Sequence, residues 1–152
     1  MQLNLPHYDF RLRRDDRGTA IFDRLRKRYV ALTPEEWVRQ HFVEWLIRER
    51  AFPQELMANE VTLTLNGVTR RCDTLVADRA GQPLVVAEYK APTVKVSQHT
   101  FDQIVRYNSV LRARILIVSN GINHYCCQIN PDNGSYAFLP DIPNYNSICQ
   151  IT

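Results

Sequence analysis

The chain has 152 residues, 45% of them hydrophobic and 10% aromatic, which suits one domain with a core of ordinary size. Its net charge of +3 permits a nucleic-acid partner without demanding one. No stretch approaches the ~18 apolar residues of a membrane span, and four cysteines without a CxxC pair argue against a disulfide framework or a zinc knuckle. The opening MQLNLPHYDF has no signal-peptide pattern, so the expectation is a reduced, cytoplasmic protein. A single domain over residues 1–152 is expected, with a basic N-terminal segment over 1–32 and a core over 33–140.

Between Arg11 and Arg28 eight basic residues stand against three aspartates. HYDFRLRR reads as a short strand and DDRG as a turn, while AIFDRLRKRYVAL reads equally as a short helix or an extended segment. The next segment, TPEEWVRQHFVEWLIRER, has the clearest helical pattern. Thr33 suits the cap, Pro34 the first helical position, and Glu36 completes a T-x-x-E capping box. Val38, Phe42, Trp45 and Leu46 share its core face, and Trp37, Val43 and Ile47 widen it.

From residue 59 the period changes to two. Asn66-Gly67 between alternating runs predicts a hairpin. A second hairpin follows, with a strand to Ala77, a turn over Arg79 to Gln82 and a strand from Pro83 to Lys90. SQHTFDQIVRYNSVLRA predicts a helix capped by Ser97, and RILIVSNG a central strand stopped by Asn120-Gly121. HYCCQI and SYAFL, joined by NPDNG, predict a closing hairpin.

Centring the second turn between Ala80 and Gly81 puts Asp73 opposite Glu88, with Cβ atoms ~5 Å apart on one face. Lys90, two residues on, emerges on the same face. Paired carboxylates repel unless a cation lies between them, and Mg²⁺ commonly binds through one or two carboxylates plus waters and substrate phosphate. Asp73, Glu88 and the backbone carbonyl of Tyr89 are therefore candidate ligands for Mg²⁺ or Mn²⁺, leaving Lys90 to meet a water or a phosphate. The bland reading is a cross-strand charge cluster on a solvated face. Leu84 and Val86, placed on the Glu88 face, argue against it. His7, His41, His99 and His124 have no ligand spacing.

Asp73 followed by Glu88-Tyr89-Lys90 resembles the PD-(D/E)XK nuclease superfamily. More narrowly, LTPEEWVRQ, RRCD, VVAEYKAP, FDQIVRYN and VSNG resemble, in order over residues 20–140, the N-terminal nuclease domain of type I restriction enzyme R subunits. The resemblance implies an α/β restriction-endonuclease-like core, a mixed β-sheet flanked by helices. It implies metal-dependent hydrolysis of DNA phosphodiester bonds by Asp73, Glu88 and Lys90. Glu36 matches the acidic residue of the first helix, although a helix cap is an equal reading; Glu44, with Gln40 between, is an alternative. Gln103 and Tyr107 match a QxxxY motif, in which Gln103 would orient Lys90 or a phosphate and Tyr107 would contact the backbone. On a helical wheel both lie opposite Phe101, Ile104 and Val105.

Cys72 stands where the superfamily name has proline, and no G-x-x-x-x-G-K loop is present, so activity without a motor is expected. Methyltransferase, specificity or motor subunits are the implied partners beside DNA. A nuclease-like module that binds DNA or protein without cutting is the alternative, and action on RNA a weaker one.

Overall fold

A computed structural model describes residues 2–151. Three antiparallel strands, β1 (Leu12–Asp15), β2 (Gly18–Asp23) and β3 (Arg28–Ala31), form a small sheet, which resolves the ambiguous arginine-rich segment as extended. Helix α1 (Pro34–Glu49) follows, then β4 (Met57–Leu65), β5 (Val68–Ala77), β6 (Pro83–Tyr89), α2 (Gln98–Leu111), β7 (Ile115–Ser119), β8 (His124–Ile129), β9 (Tyr136–Phe138) and α3 (Tyr145–Ile151). Strands β4 to β9 lie side by side in chain order. Only β6 and β7 pair in parallel, with α2 as the crossover, so the sheet is mixed.

Each element stops where its local chemistry stops it. Thr33 Oγ1 accepts from Glu36 N–H at 3.0 Å to start α1. The helix ends as Ala51 turns left-handed (φ 56°), letting Phe52 N–H return to Leu46 O at 3.1 Å. Asn66 and Gly67, at φ 53° and 77°, give the tight turn that pairs Leu65 with Val68. Ser97 Oγ caps α2 through Thr100 N–H.

β7 is buried on both faces, and its alternation divides the core. Ile115 and Ile117 pack with Val38, Phe42 and Leu46 of α1 and Tyr145 and Ile148 of α3. Leu116 and Val118 pack on the other face with Phe101 and Leu111 of α2. Val86 joins this second cluster, but Leu84 joins the first, beyond the register shift at Val76/Ala77. The adjacent Cys126 and Cys127 are buried on opposite faces as packing residues.

The core also draws on residues outside 33–140. Leu3, Tyr8 and Ile21 are buried at one end of the chain, Ile142, Tyr145 and Ile148 at the other. Asn4 N–H binds Gly121 O at 2.8 Å, and Leu3 fills the space beside that glycine. A Cβ there would sit 2.7 Å from Leu3 Cδ2, at a φ of +86° that side chains rarely adopt.

Candidate active site

The β5–β6 ladder runs with Val76 opposite Val85, Leu75 opposite Val86 and Thr74 opposite Ala87. One step further in that register stand Asp73 and Glu88, where the regular ladder ends. Tyr89 N–H donates instead to the Asp73 carboxylate, Oδ2 at 2.8 Å, and the Asp73 carbonyl accepts from Arg39 Nη1 at 2.9 Å. On the other side of β5, Glu60 lies between the pairs Asn59–Thr74 and Val61–Cys72 with a left-handed φ of 56°. The backbone is thus bent around Asp73, and its carboxyl turns to the end of β6.

There the Glu88 carboxyl lies close enough to Asp73 to feel its charge. Burial first, then the charge of Asp73 and hydrogen bonding between the two acids when one is protonated, hold Glu88 well above the ordinary carboxylate range; the Lys90 ammonium pulls the other way. Lys90 is half-buried, anchored by its own N–H to Ser119 O at 2.9 Å, and makes no ion pair among the described residues. Tyr89 sends its phenol to the opposite layer, against Phe42 and onto Thr74 Oγ1 at 2.9 Å, so only its backbone stays near the acids. Burial and the nearby Glu88, Asp73 and Glu60 push the Cys72 thiol up to about 12, which keeps it protonated and unreactive.

Glu36 is placed in a different arrangement from either sequence expectation. Its N–H takes the cap, but its carboxylate accepts from Arg26 Nη2 at 2.7 Å, Arg39 Nε and Nη2 at 3.0 and 3.1 Å, and Gln40 Nε2 at 2.9 Å. Glu44 is likewise engaged, accepting two bonds from Arg24 Nη1 at 2.9 and 3.0 Å and one from Arg48 at 2.8 Å. Arg39, only 8% exposed, also donates to Glu60 at 2.7 Å, and Arg71 holds the other oxygen of Glu60.

The network continues behind the site. Asp23, fully buried, binds Arg26 and accepts from Asn59 Nδ2 at 3.0 Å; Asn59 Oδ1 takes Thr74 Oγ1–H at 2.7 Å. Burial alone would raise the Asp23 carboxyl, but the hydrogen bonds from Asn59, Arg26 and Leu25 N–H hold it below the ordinary value. A ring of polar contacts therefore runs from the Asp73 carbonyl through Arg39, Glu36, Arg26, Asp23 and Asn59 back to Thr74. Sequence reasoning missed Arg39; its one local signal was E-x-x-R spacing on α1, which stacks Glu36 and Arg39 on one face.

Gln103 and Tyr107 lie on the outer side of α2. Phe101 is buried and Ile104 and Val105 pack against the core, whereas Tyr107 is 56% exposed with the Arg70 guanidinium 5.0 Å from its ring. The Gln103 side chain is exposed and makes no hydrogen bond among the described residues. Among those residues no group of three or more His, Cys, Asp and Glu side chains gathers, so a cation at Asp73 and Glu88 would draw its remaining ligands from backbone, water or substrate.

A family model for the N terminus of type I restriction enzyme R proteins matches residues 34–143, most of the chain. The chain belongs to this R-protein N-terminal family. Among solved structures it is similar to a fragment assigned as an HsdR subunit of a type I restriction enzyme from Vibrio vulnificus YJ016, with a TM-score of 0.56 and 19% identity. That likeness covers 80% of this chain and 25% of the other, and it shows the same restriction-endonuclease-like fold. No curated protein matches. Within the R-protein family match lie Asp73, Glu88 and Lys90; β1 to β3, which supply Asp23, precede it.

Proposed function

We propose that this member of the R-protein N-terminal family hydrolyses DNA phosphodiester bonds with a divalent metal ion. The observation that carries the reading is the meeting of Asp73 and Glu88, two carboxyls brought against each other where two strands part, beside an ammonium that makes no ion pair among the described residues. A half-buried acid pair that cannot comfortably ionise twice is a site that a hard cation would relieve. Family membership supports the context of a restriction system.

Asp73, Glu88 and the Tyr89 carbonyl would hold Mg²⁺ or Mn²⁺, which supplies Lewis-acid charge at a phosphoryl oxygen when bound. Lys90, beside the acid pair, holds the attacking water or offsets the negative charge that grows on the phosphate in the transition state. Arg39 fixes the bend at Asp73 through its carbonyl, and Glu36 fixes Arg39. Glu36 thus serves as a positioning residue. Gln103 and Tyr107, on the open side of α2, meet the substrate backbone.

The test incubates the purified chain with supercoiled, linear and single-stranded DNA in Mg²⁺, Mn²⁺ or EDTA. Cleavage is expected only with metal. Lys90→Ala should reduce it by ~10²-fold or more with an unchanged thermal melt, and Asp73→Asn should remove the heat of Mn²⁺ binding. If the folded wild type nicks none of these DNAs, the hydrolytic reading fails and the domain acts as a binding module.

A further inference from the structure

The basic segment divides in two. Arg24 and Arg26 turn inward to Glu44, Asp23 and Glu36. Arg11, Arg13, Arg14, Arg17, Lys27 and Arg28 are exposed, and none makes an ion pair among the described residues. The residual charge of the segment therefore faces solvent, with Arg13 on one face of the small sheet and Arg14 and Arg28 on the face of Ile21 and Asp23.

Strand geometry arranges part of it. Ile21 and Asp23 are fully buried, so the alternate residues of β2 and their cross-strand neighbours form the outward face. On that face Phe22 pairs with Tyr29, Arg13 with Ala20, and Phe22 N–H binds Arg11 O. The Arg11 guanidinium lies 4.0 Å from the Phe22 ring centre and that of Arg13 lies 4.4 Å from Tyr29. Each guanidinium stands over a ring, which limits its rotamers while the side chain stays exposed. The rings are covered, so they offer no platform for stacked bases. Asp15, the one acid of β1 and β2 on this side, sits at the turn and accepts from Arg17 N–H.

The small sheet borders the elements that carry the candidate site on its Leu12 face, opposite Arg11 and Arg13. An apolar groove of about 460 Å³, lined by Leu12, Leu32, Thr33, Pro34, Trp37 and Pro92, lies between the small sheet, the start of α1 and the loop that follows Lys90.

We propose that the outward face of β1 to β3, centred on Arg11 and Arg13 over Phe22 and Tyr29, docks the phosphate backbone of duplex DNA without reading its sequence. The assignment of DNA rests on the hydrolytic reading above. Fixed guanidinium edges suit phosphate oxygens, and contacts of this kind position the duplex without specifying bases.

Binding of the full chain to two unrelated duplexes, measured by fluorescence anisotropy in EDTA across a salt series, tests it. Arg11→Ala/Arg13→Ala should lower the slope of log affinity against log salt by about 1.8, at about 0.9 per phosphate contact, equally for both duplexes. Arg112→Ala, which removes the same charge where it pairs with Asp132, should leave the slope unchanged. Arg11→Lys/Arg13→Lys should keep most of it, and thermal melts check that all variants fold. If the wild type binds and the double alanine variant matches it in slope and affinity, the surface assignment is overturned. It is equally overturned if Arg112→Ala gives the same loss, or if the arginines matter for an RNA hairpin or polyglutamate but not for DNA. Arginine-dependent binding by a wild type that cuts nothing would support the surface and sink only the hydrolytic reading.

Discussion

At Glu88 a single carboxyl carries the tension of the whole site. Burial and Asp73 raise its proton affinity in the folded chain, while in the unfolded chain it titrates near an ordinary value of about 4.3. The native state therefore holds a proton that the unfolded state has already released, and stability must fall as pH rises above that ordinary value toward the raised one. Urea denaturation of the metal-free protein should give a lower midpoint at pH 8.5 than at pH 7, a range in which His41 and His124, held below their ordinary value by burial, are largely neutral in both states. Glu88→Gln should flatten that trend, and Mg²⁺ should oppose it by binding the doubly ionised pair. Equal pH trends in the wild type and Glu88→Gln would refute the account. The pairing of this acid with Asp73 is expected from a turn centred between Ala80 and Gly81. The turn between Asp78 and Gln82, however, sets Ala77 against Pro83, and it is the register shift at Val76/Ala77, which residue types do not reveal, that moves the ladder by one and brings Asp73 to Glu88.

Among elements, α1 does two unlike jobs on its two sides. Val38, Phe42 and Leu46 build the core, while Glu36, Arg39, Gln40 and Glu44 form a buried polar seam against β4, β5 and the small sheet. Removing one partner from such a seam strands the others, a loss of ~3–5 kcal/mol. Arg39→Met is expected to destabilise the fold on that scale in urea titration, with part of the loss recovered in Glu36→Gln/Arg39→Met. Because Arg39 also holds the Asp73 carbonyl, Ca²⁺ affinity by calorimetry should weaken in the milder Arg39→Lys. Unchanged Ca²⁺ affinity would reduce Arg39 to a structural residue. Helices and hairpins of the middle of the chain were legible because their caps and turns are local. The seam was not, since Glu36 and Arg39 are ordinary surface types on a helix until Asp23 and Glu60 arrive from distant segments. The short helix α3, with seven residues, lacked the length for a periodic signal. The arginine-rich strands masked their own alternation, because the inward positions include Asp23 as well as Ile21.

For the molecule as a whole, the family match begins at residue 34, yet the fold depends on what comes before it. Removing residues 1–32 takes away Asp23 and Arg26, exposes the packing of Leu3, Tyr8 and Ile21, and leaves Glu36 with one guanidinium fewer. Against a total stability of about 5–15 kcal/mol, that loss is expected to abolish cooperative unfolding of a chain beginning at residue 33. A cooperative melt within a few degrees of the full chain would show the small sheet to be an accessory.

The lone parallel pairing carries a consequence in time. Asp73 and Glu88 meet across one tight hairpin, a contact that closes in microseconds. Lys90 is held by Ser119 only after β7 has crossed over through α2, and residue 4 reaches Gly121 only when nearly the whole chain has come together. Long loops close late in proportion to the entropy they lose. A refolding molecule would therefore bring its two acids together first and seat its lysine among the last events, so that secondary structure would return before the site is complete.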